Sequence, residues 1–291
     1  MSHSEPPSPV LFFDTLVAYQ DTAALKAALE LGLFTAIGPS PTTAAELATK
    51  CGAAAFLLSP TIRNAFDDLA AAARKGGIAQ SEEGPMAPDH PVWIDFARGM
   101  APMMIPPAQS LAELLPLNAT RPARILDIAA GHGVYGIAVA QKFPLAQLVA
   151  LDWAPVLEVA RGNAKAAGLA ARFSTIEGSA FKIDLGDNYD VILVPNFLHH
   201  FDPPTCVIFL KKAHGALRPG GCVAIVEFVP NPDRVTPPEA ASFSLVMLAT
   251  TAAGDAYTFE ELNDMLSQAG FKPAQQYPLP PSAATVVIAD K

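Results

Sequence analysis

A chain of 291 residues, 51% hydrophobic and 16% charged, is long enough for one large domain or two ordinary ones around a sizeable core. Its formal net charge of -9 argues against nucleic acid as a partner. The absence of an apolar run of membrane-spanning length, and of a basic start like that of a signal peptide, predicts a cytoplasmic protein with no membrane association.

Pro9 to Leu31 follows a helical period that Gly32 is placed to stop. Phe12, Phe13, Leu16, Val17 and Tyr19 exceed what one face of a lone helix can hide, so either the core or a partner subunit takes the excess. Thr43 and Glu46 have the spacing of a capping box, which predicts a helix running to Lys50 and stopping at Gly52. Two helices in this order suggest a helix-turn-helix. The next segment, from Ala53 to Pro60, is apolar and ends in proline where a groove-reading helix would carry basic and amide side chains, so DNA binding is disfavoured. Thr61 to Lys75 reads as a helix closed by Gly76-Gly77, and Ile78 to Pro91 as a loop. Val92 to Met100 and Met104 to Leu115 read as two helices separated by Pro102. Phe96, Met100, Met103 and Met104 form a Met/aromatic cluster, a pattern that more often fills a core than lines a ligand site. Leu117 to Pro122 has the composition of a domain boundary, giving a helical domain over residues 1–120 and a second domain over 121–291.

From Ala123 onwards strands and helices alternate. The segments are 124–128, 132–143, 147–151, 155–167, 171–176, 189–194, 204–217 and 223–229. Such alternation predicts an α/β fold with a parallel sheet covered by helices on both faces and ligands beyond the carboxyl ends of the strands. Asp127, Asp152, Ser179 and Asn196 all fall at those ends. Gly131, Gly133 and Gly136 satisfy a G-x-G-x-x-G spacing, whose first reading is NAD(P) binding. Asp127 opposes that reading, because an anion at the strand end repels a diphosphate and favours a cation such as the ammonium of a methionine moiety. Asp152 suits ribose hydroxyls in either cofactor class. Asp184, Asp187 and Asp190 resemble a metal cluster, yet the first two lie in a Gly/Asn-containing loop and no His shares their spacing, so no metal is predicted. Cys51, Cys206 and Cys222 show neither metal nor disulfide spacing and read as reduced, buried thiols. Thr258 to Ala269 reads as a capped helix, followed by strands at 274–277 and 284–289.

The stretches LDIAAGHG (126–133), LVALDWAP (148–155), YDVILVPNFLHHFD (189–202) and LRPGGCVAIVEF (217–228) resemble the successive motifs of class I S-adenosylmethionine (SAM) methyltransferases. Their order and spacing are similar to the small-molecule O-methyltransferases that act on aromatic hydroxyls in plant and bacterial secondary metabolism. The resemblance covers roughly Pro9 to Cys51 and Phe56 to the C-terminus. It implies a Rossmann-like, seven-stranded α/β domain with a closing hairpin, and a smaller, winged-helix-like N-terminal domain that builds a homodimer. The helix and β-hairpin wing that the family carries after its short helix are lacking beyond residue 52. The cofactor implied is SAM, leaving S-adenosylhomocysteine, held by Asp127, Ala129, Gly131, Gly133, Asp152, Trp153, Ser179, Ala180, Phe181 and Asn196. A small aromatic hydroxylated substrate is implied, with Phe96, Met100, Met103, His200 and Met247 around it.

The sulfonium of SAM is already a good leaving group, whereas a phenol with a pKa near 10 must lose its proton as it attacks. On the family's L-H-D-W pattern His199 matches the catalytic base, and His200 stands where the pattern has Asp. Glu227 matches an acid that steers that histidine; its other reading is a strand-end acid facing solvent. The family's second acid falls on Ala256, which keeps open a catalytically dead dimeric scaffold or non-methyl chemistry with SAM bound.

Overall fold

The computed structural model describes Ala18, residues 64–79 and residues 92–291. The helices expected over 9–31 and 42–50, the junction after Gly52 and Cys51 lie outside the described residues, Ala18 apart. Seven strands, β1 (Ala123–Ile128), β2 (Ala146–Asp152), β3 (Phe173–Glu177), β4 (Tyr189–Pro195), β5 (Leu217–Glu227), β6 (Gln275–Pro278) and β7 (Thr285–Asp290), form one sheet in the order β3-β2-β1-β4-β5-β7-β6. Among them β7 alone runs against the others, pairing Ile225 with Val287 on β5 and Tyr277 with Val286 on β6. The closing hairpin therefore matches the expectation.

Among the described residues seven α-helices have assigned bounds: α1 (Leu69–Lys75), α2 (Val92–Leu114), α3 (Val134–Lys142), α4 (Ala154–Ala166), α5 (Pro203–Ala216), α6 (Pro238–Thr250) and α7 (Phe259–Gln268). Because side chains alternate along a strand, β1 feeds two cores. Leu126 and Ile128 pack on one side with Phe209 and Leu210 of α5 and Leu262 and Leu266 of α7. Ile125 packs on the other with Leu111 of α2 and Tyr135 and Val139 of α3. Chain order reverses between β1 and β4, so a crevice opens at their carboxyl ends.

Several boundaries differ from expectation. Residues 92–114 form one helix, not two, with Pro102, Pro106 and Pro107 inside it. Each proline removes a helical N–H, yet burial of Ala97, Ala108, Leu111 and Ala112 holds the chain helical across the gaps. The C-terminal half of α2 thus belongs to the core of the α/β sheet. Strand β5 begins at Leu217 because Leu217 pairs with Tyr189, after which residues 218–221 bulge out before Cys222 meets Val191. The helix expected over 61–75 is helical at residues 64 and 65, breaks into a turn at 66–68 and resumes as α1 at Leu69, residues 61–63 lying outside the described residues. Helix α1 closes at Gly76, whose φ of 82° and N–H to the Ala72 carbonyl (2.8 Å) make a left-handed cap. The Thr258–Glu261 capping box of α7 is formed.

Candidate cofactor cleft and catalytic histidine

The glycine turn fastens β1 to α3. Ala129, Gly131 and Gly133 have φ of 49°, 58° and 72°, and a Cβ on Gly133 would come 3.0 Å from the Cβ of Ala160 on α4. A Cβ on Gly136 would stand 2.8 Å from Asp127 Oδ2; without one, the Gly136 N–H donates to that oxygen at 3.0 Å. Asp127 is fully buried, and its Oδ1 has no hydrogen-bond partner among the described residues. Burial pushes its carboxyl up to about 8, opposed by the Gly136 N–H and aided by the nearby Asp152. Asp152 accepts the Gly131 N–H at Oδ2 (2.8 Å) and the Trp153 N–H at Oδ1 (2.7 Å), and burial raises its carboxyl to about 6. Asp152, Trp153, Ser179, Ala180, Phe181 and Phe197 surround a cleft with about 300 Å³ of empty space. Lys212 of α5 holds the loop on that side, donating from Nζ to the carbonyls of Ala180 (2.9 Å), Phe181 (3.1 Å) and Ile183.

These residues fit SAM. The unpaired Oδ1 of Asp127 offers a buried carboxyl that can pair with an ammonium group once its proton leaves, and the carboxylate so formed would repel a dinucleotide's pyrophosphate. The rings of Phe181 and Phe197 lie 5.8 Å apart beside the cleft and give a planar base apolar walls. Asp152 keeps its second lone pairs free for hydroxyls.

The histidine stands at the next strand end. After β4 the chain turns through Asn196, whose φ of 52° is stabilised by its N–H to the Val226 carbonyl (2.8 Å), into a single 3₁₀ turn, Leu198–His200. Glu227, at the end of β5, accepts at Oε1 the N–H groups of Phe197 (3.1 Å), Leu198 (2.9 Å) and His199 (3.4 Å). Its Oε2 takes His199 Nδ1. Glu227 is 2% exposed and His199 5%, so the solvent-facing reading of Glu227 is replaced by that of a buried acid gripping both the turn and the ring. A carboxylate at Nδ1 holds the proton there and leaves the lone pair on Nε2.

Phe243 of α6 meets the His199 ring edge-on at 4.9 Å, and the His200 ring lies 4.3 Å away. His200 has a buried Nδ1 without a partner among the described residues, and burial together with the neighbouring His199 lowers its pKa well below the usual histidine value. Trp93 sits edge-on to His200 at 5.4 Å and to Phe96 at 6.0 Å. Phe96 and Met100 share a small apolar cluster with Trp93 and Val92, close to His200 and apart from the main cores. Met103 is 42% exposed, while Met104 receives the Tyr135 hydroxyl at 3.5 Å. Met247 is buried on α6, one turn beyond Phe243.

Ala256 is 1% exposed, and the neighbouring Asp255 turns to Arg234 at 3.1 Å. The acids of the loop before β4 are occupied elsewhere: Asp184 accepts the Gly186 N–H, Asp187 faces Arg124, and Asp190 binds Arg218 and the Arg124 N–H. His132 is buried, its Nδ1 accepting the Val134 N–H, and its pKa falls to about 4. Cys206 and Cys222 are buried free thiols, each pushed up to about 12 by burial. No helix among the described residues is long and apolar enough to cross a membrane. Phe243, Trp93, Phe197 and Lys212 are the residues that sequence reasoning missed. Only Phe197, directly after Asn196, carried a positional signal.

Residues 86–272 match the O-methyltransferase domain family. A protein of Nostoc punctiforme PCC 73102, solved by crystallography as a candidate O-methyltransferase, is 45% identical, with a TM-score of 0.88 over 99% of this chain and 100% of that one. The 3-hydroxy-5-methyl-1-naphthoate 3-O-methyltransferase of Streptomyces sahachiroi is 26% identical over 310 aligned positions, spanning 90% of this chain and 89% of that protein. Human N-acetylserotonin methyltransferase, solved in complex with SAM, shares the fold at 18% identity, with a TM-score of 0.82 over 100% of this chain and 99% of that one.

Proposed function

The chain belongs to the class I O-methyltransferase family, which uses SAM as its cofactor, and we propose that it methylates a hydroxyl of a small aromatic acceptor with His199 as general base. The observation that carries this reading is the buried His199–Glu227 couple at the strand ends, next to the cleft that fits the cofactor. Bound SAM supplies a methyl group on a positively charged sulfur. Asp127 would hold the ammonium of its methionine end, Asp152 the ribose, and Phe181 and Phe197 the base. His199 Nε2 would accept the phenolic proton as the oxygen attacks, and Glu227 would stabilise the resulting imidazolium. Both groups are buried, so their attraction is screened little by water. Trp93, Phe96, Met100 and the neutral His200 would flank a flat, mainly apolar acceptor.

The reading extends to a homodimer built from the N-terminal helices, supported by the excess of large apolar residues between Phe12 and Tyr19, and to a helical domain meeting the SAM domain near residue 120. Buried free thiols at Cys206 and Cys222 support a reducing, cytoplasmic setting. Ala256 favours a second reading, a SAM-binding protein without methyl transfer. Incubation with isotopically labelled SAM and a panel of phenols, followed by mass spectrometry, separates the two. A labelled ether is expected; SAM binding with no labelled product from any phenol would favour the second reading.

A further inference from the structure

His199 is held from three sides. Glu227 fixes its Nδ1 edge, Phe243 meets its ring, and Gly254 lies against its backbone. A Cβ on Gly254 would stand 2.1 Å from the His199 carbonyl oxygen, 2.7 Å from Thr251 Oγ1 and 3.0 Å from the His200 carbonyl carbon. Gly254 is absent from the positive-φ glycines, so this position requires the lack of a side chain and not a special dihedral. Gly77, just past the cap of α1, is the same: its Cβ would stand 2.1 Å from the Ala252 carbonyl oxygen, at an ordinary φ. Residues 251–254 are therefore wedged between the turn that closes α1 and the turn that carries His199.

Hydrogen bonds fasten the wedge at both ends. The Ile78 N–H donates to the Thr251 carbonyl at 2.9 Å, beyond Gly77. Thr251 Oγ1 donates to the Met247 carbonyl (2.8 Å) and accepts the Gly254 N–H (2.9 Å), tying the wedge to α6, which also carries Phe243. Thr251 is 4% exposed, so its hydroxyl has no water to exchange with. Ala256, two residues on, has no polar side chain that could hold His199.

We propose that residues 251–254 form a strut that positions His199 from behind and couples its placement to α1, with Gly254, Gly77 and Phe243 as positioning residues. The proposal rests on His199 being the base, and the test keeps the two apart. Gly254→Ala must push the strut and the His199 turn apart. Since an ångström-scale misplacement costs about a hundredfold in rate, kcat should fall by that order while the Kd for S-adenosylhomocysteine holds. Gly77→Ala should lower kcat in the same direction although it touches neither ring nor substrate. Thr251→Val, which removes the Gly254 tie at constant volume, replaces Gly254→Ala if that variant does not fold. Gly215→Ala, whose new Cβ meets nothing within 4 Å, is the control expected to behave as wild type. Nitrogen-15 NMR of the His199 ring, assigned with His199→Gln, supplies a readout that needs no turnover. A single Nδ1–H tautomer in wild type should become a mixture in the strut variants. Folded strut variants with wild-type kcat and an unchanged tautomer would overturn the strut. A changed tautomer alongside a fully active His199→Ala would instead support the strut and overturn the base reading.

Discussion

Placing the cofactor's ammonium at Asp127, as proposed, predicts a pH dependence of binding whose direction can be worked out. Its carboxyl sits at about 8 in the folded chain, against about 3.9 for an ordinary aspartate. At pH 7 roughly nine-tenths of the cofactor-free protein therefore carries a proton on it. An ammonium brought to Oδ1 needs the carboxylate, so binding must expel that proton. Well below pH 8 each unit should raise the apparent Kd about tenfold, or ~1.4 kcal/mol, and because half the protein is already ionised at pH 8 the rise from pH 8 to 6 should be about fiftyfold. Asp152, raised to about 6, steepens the slope only below that value. Calorimetry with S-adenosylhomocysteine, in buffers of differing ionisation enthalpy at pH 7, should report the release of close to one proton. Asp127→Asn keeps an acceptor for the Gly136 N–H but no charge, so it should flatten the profile. Stability gives a second check. The native state binds the Asp127 proton up to about pH 8 and the unfolded chain only below about 4, so this group lowers the stability of the cofactor-free protein as pH rises between those values. His132, depressed to about 4, acts oppositely between about 4 and 6.5, because there the unfolded chain binds the extra proton. The clean window for falling stability is thus about 6.5 to 8. A Kd that stays flat from pH 6 to 8, with no proton released, would refute the placement of a cation at Asp127.

Two further substitutions test how the frame serves the site. Lys212→Met strips three carbonyls of the cleft loop of their shared donor, and S-adenosylhomocysteine should bind about tenfold more weakly, in keeping with the ~1.5–3 kcal/mol of a charge-assisted hydrogen bond discounted for partial exposure. An unchanged Kd would show that Phe181 and Phe197 hold that loop without it. Gly162 lies in the interior of α4 with open space around its Cβ position and an ordinary φ, so Gly162→Ala should stabilise by about 0.5–1 kcal/mol and leave kcat alone. Thermal unfolding checks it, and a lowered midpoint would contradict the assigned helix.

The strands β1, β2 and β4 were legible because runs such as Ile125–Ile128 and Val191–Val194 are buried on both faces and need no partner to be recognised. The acids near their ends were legible for a chemical reason, since Asp127 interrupts the apolar run of β1 one residue before its end and Asp152 closes that of β2. Helix α6 was not: residues 238–250 are apolar on nearly every side and show no stripe, so Phe243, which touches His199, carried no signal. Pro102 argued for a break in α2, and only the tertiary burial of its alanines and Leu111 explains why there is none. Glu227 was ambiguous because a strand-end acid faces either solvent or the neighbouring turn, and the turn after β4 decides between them. Gly254 and Gly77 matter through what lies opposite them in space, which a sequence position does not state.

His199 is proposed to take the acceptor's proton. Single-turnover methyl transfer by His199→Ala, with SAM and a weakly acidic phenol that the wild type methylates, tests it most directly. The rate should fall by about two to four orders of magnitude, with SAM affinity unchanged and most of the loss regained on an acceptor already ionised at the assay pH. A single-turnover rate equal to that of the wild type on the weakly acidic phenol would contradict it.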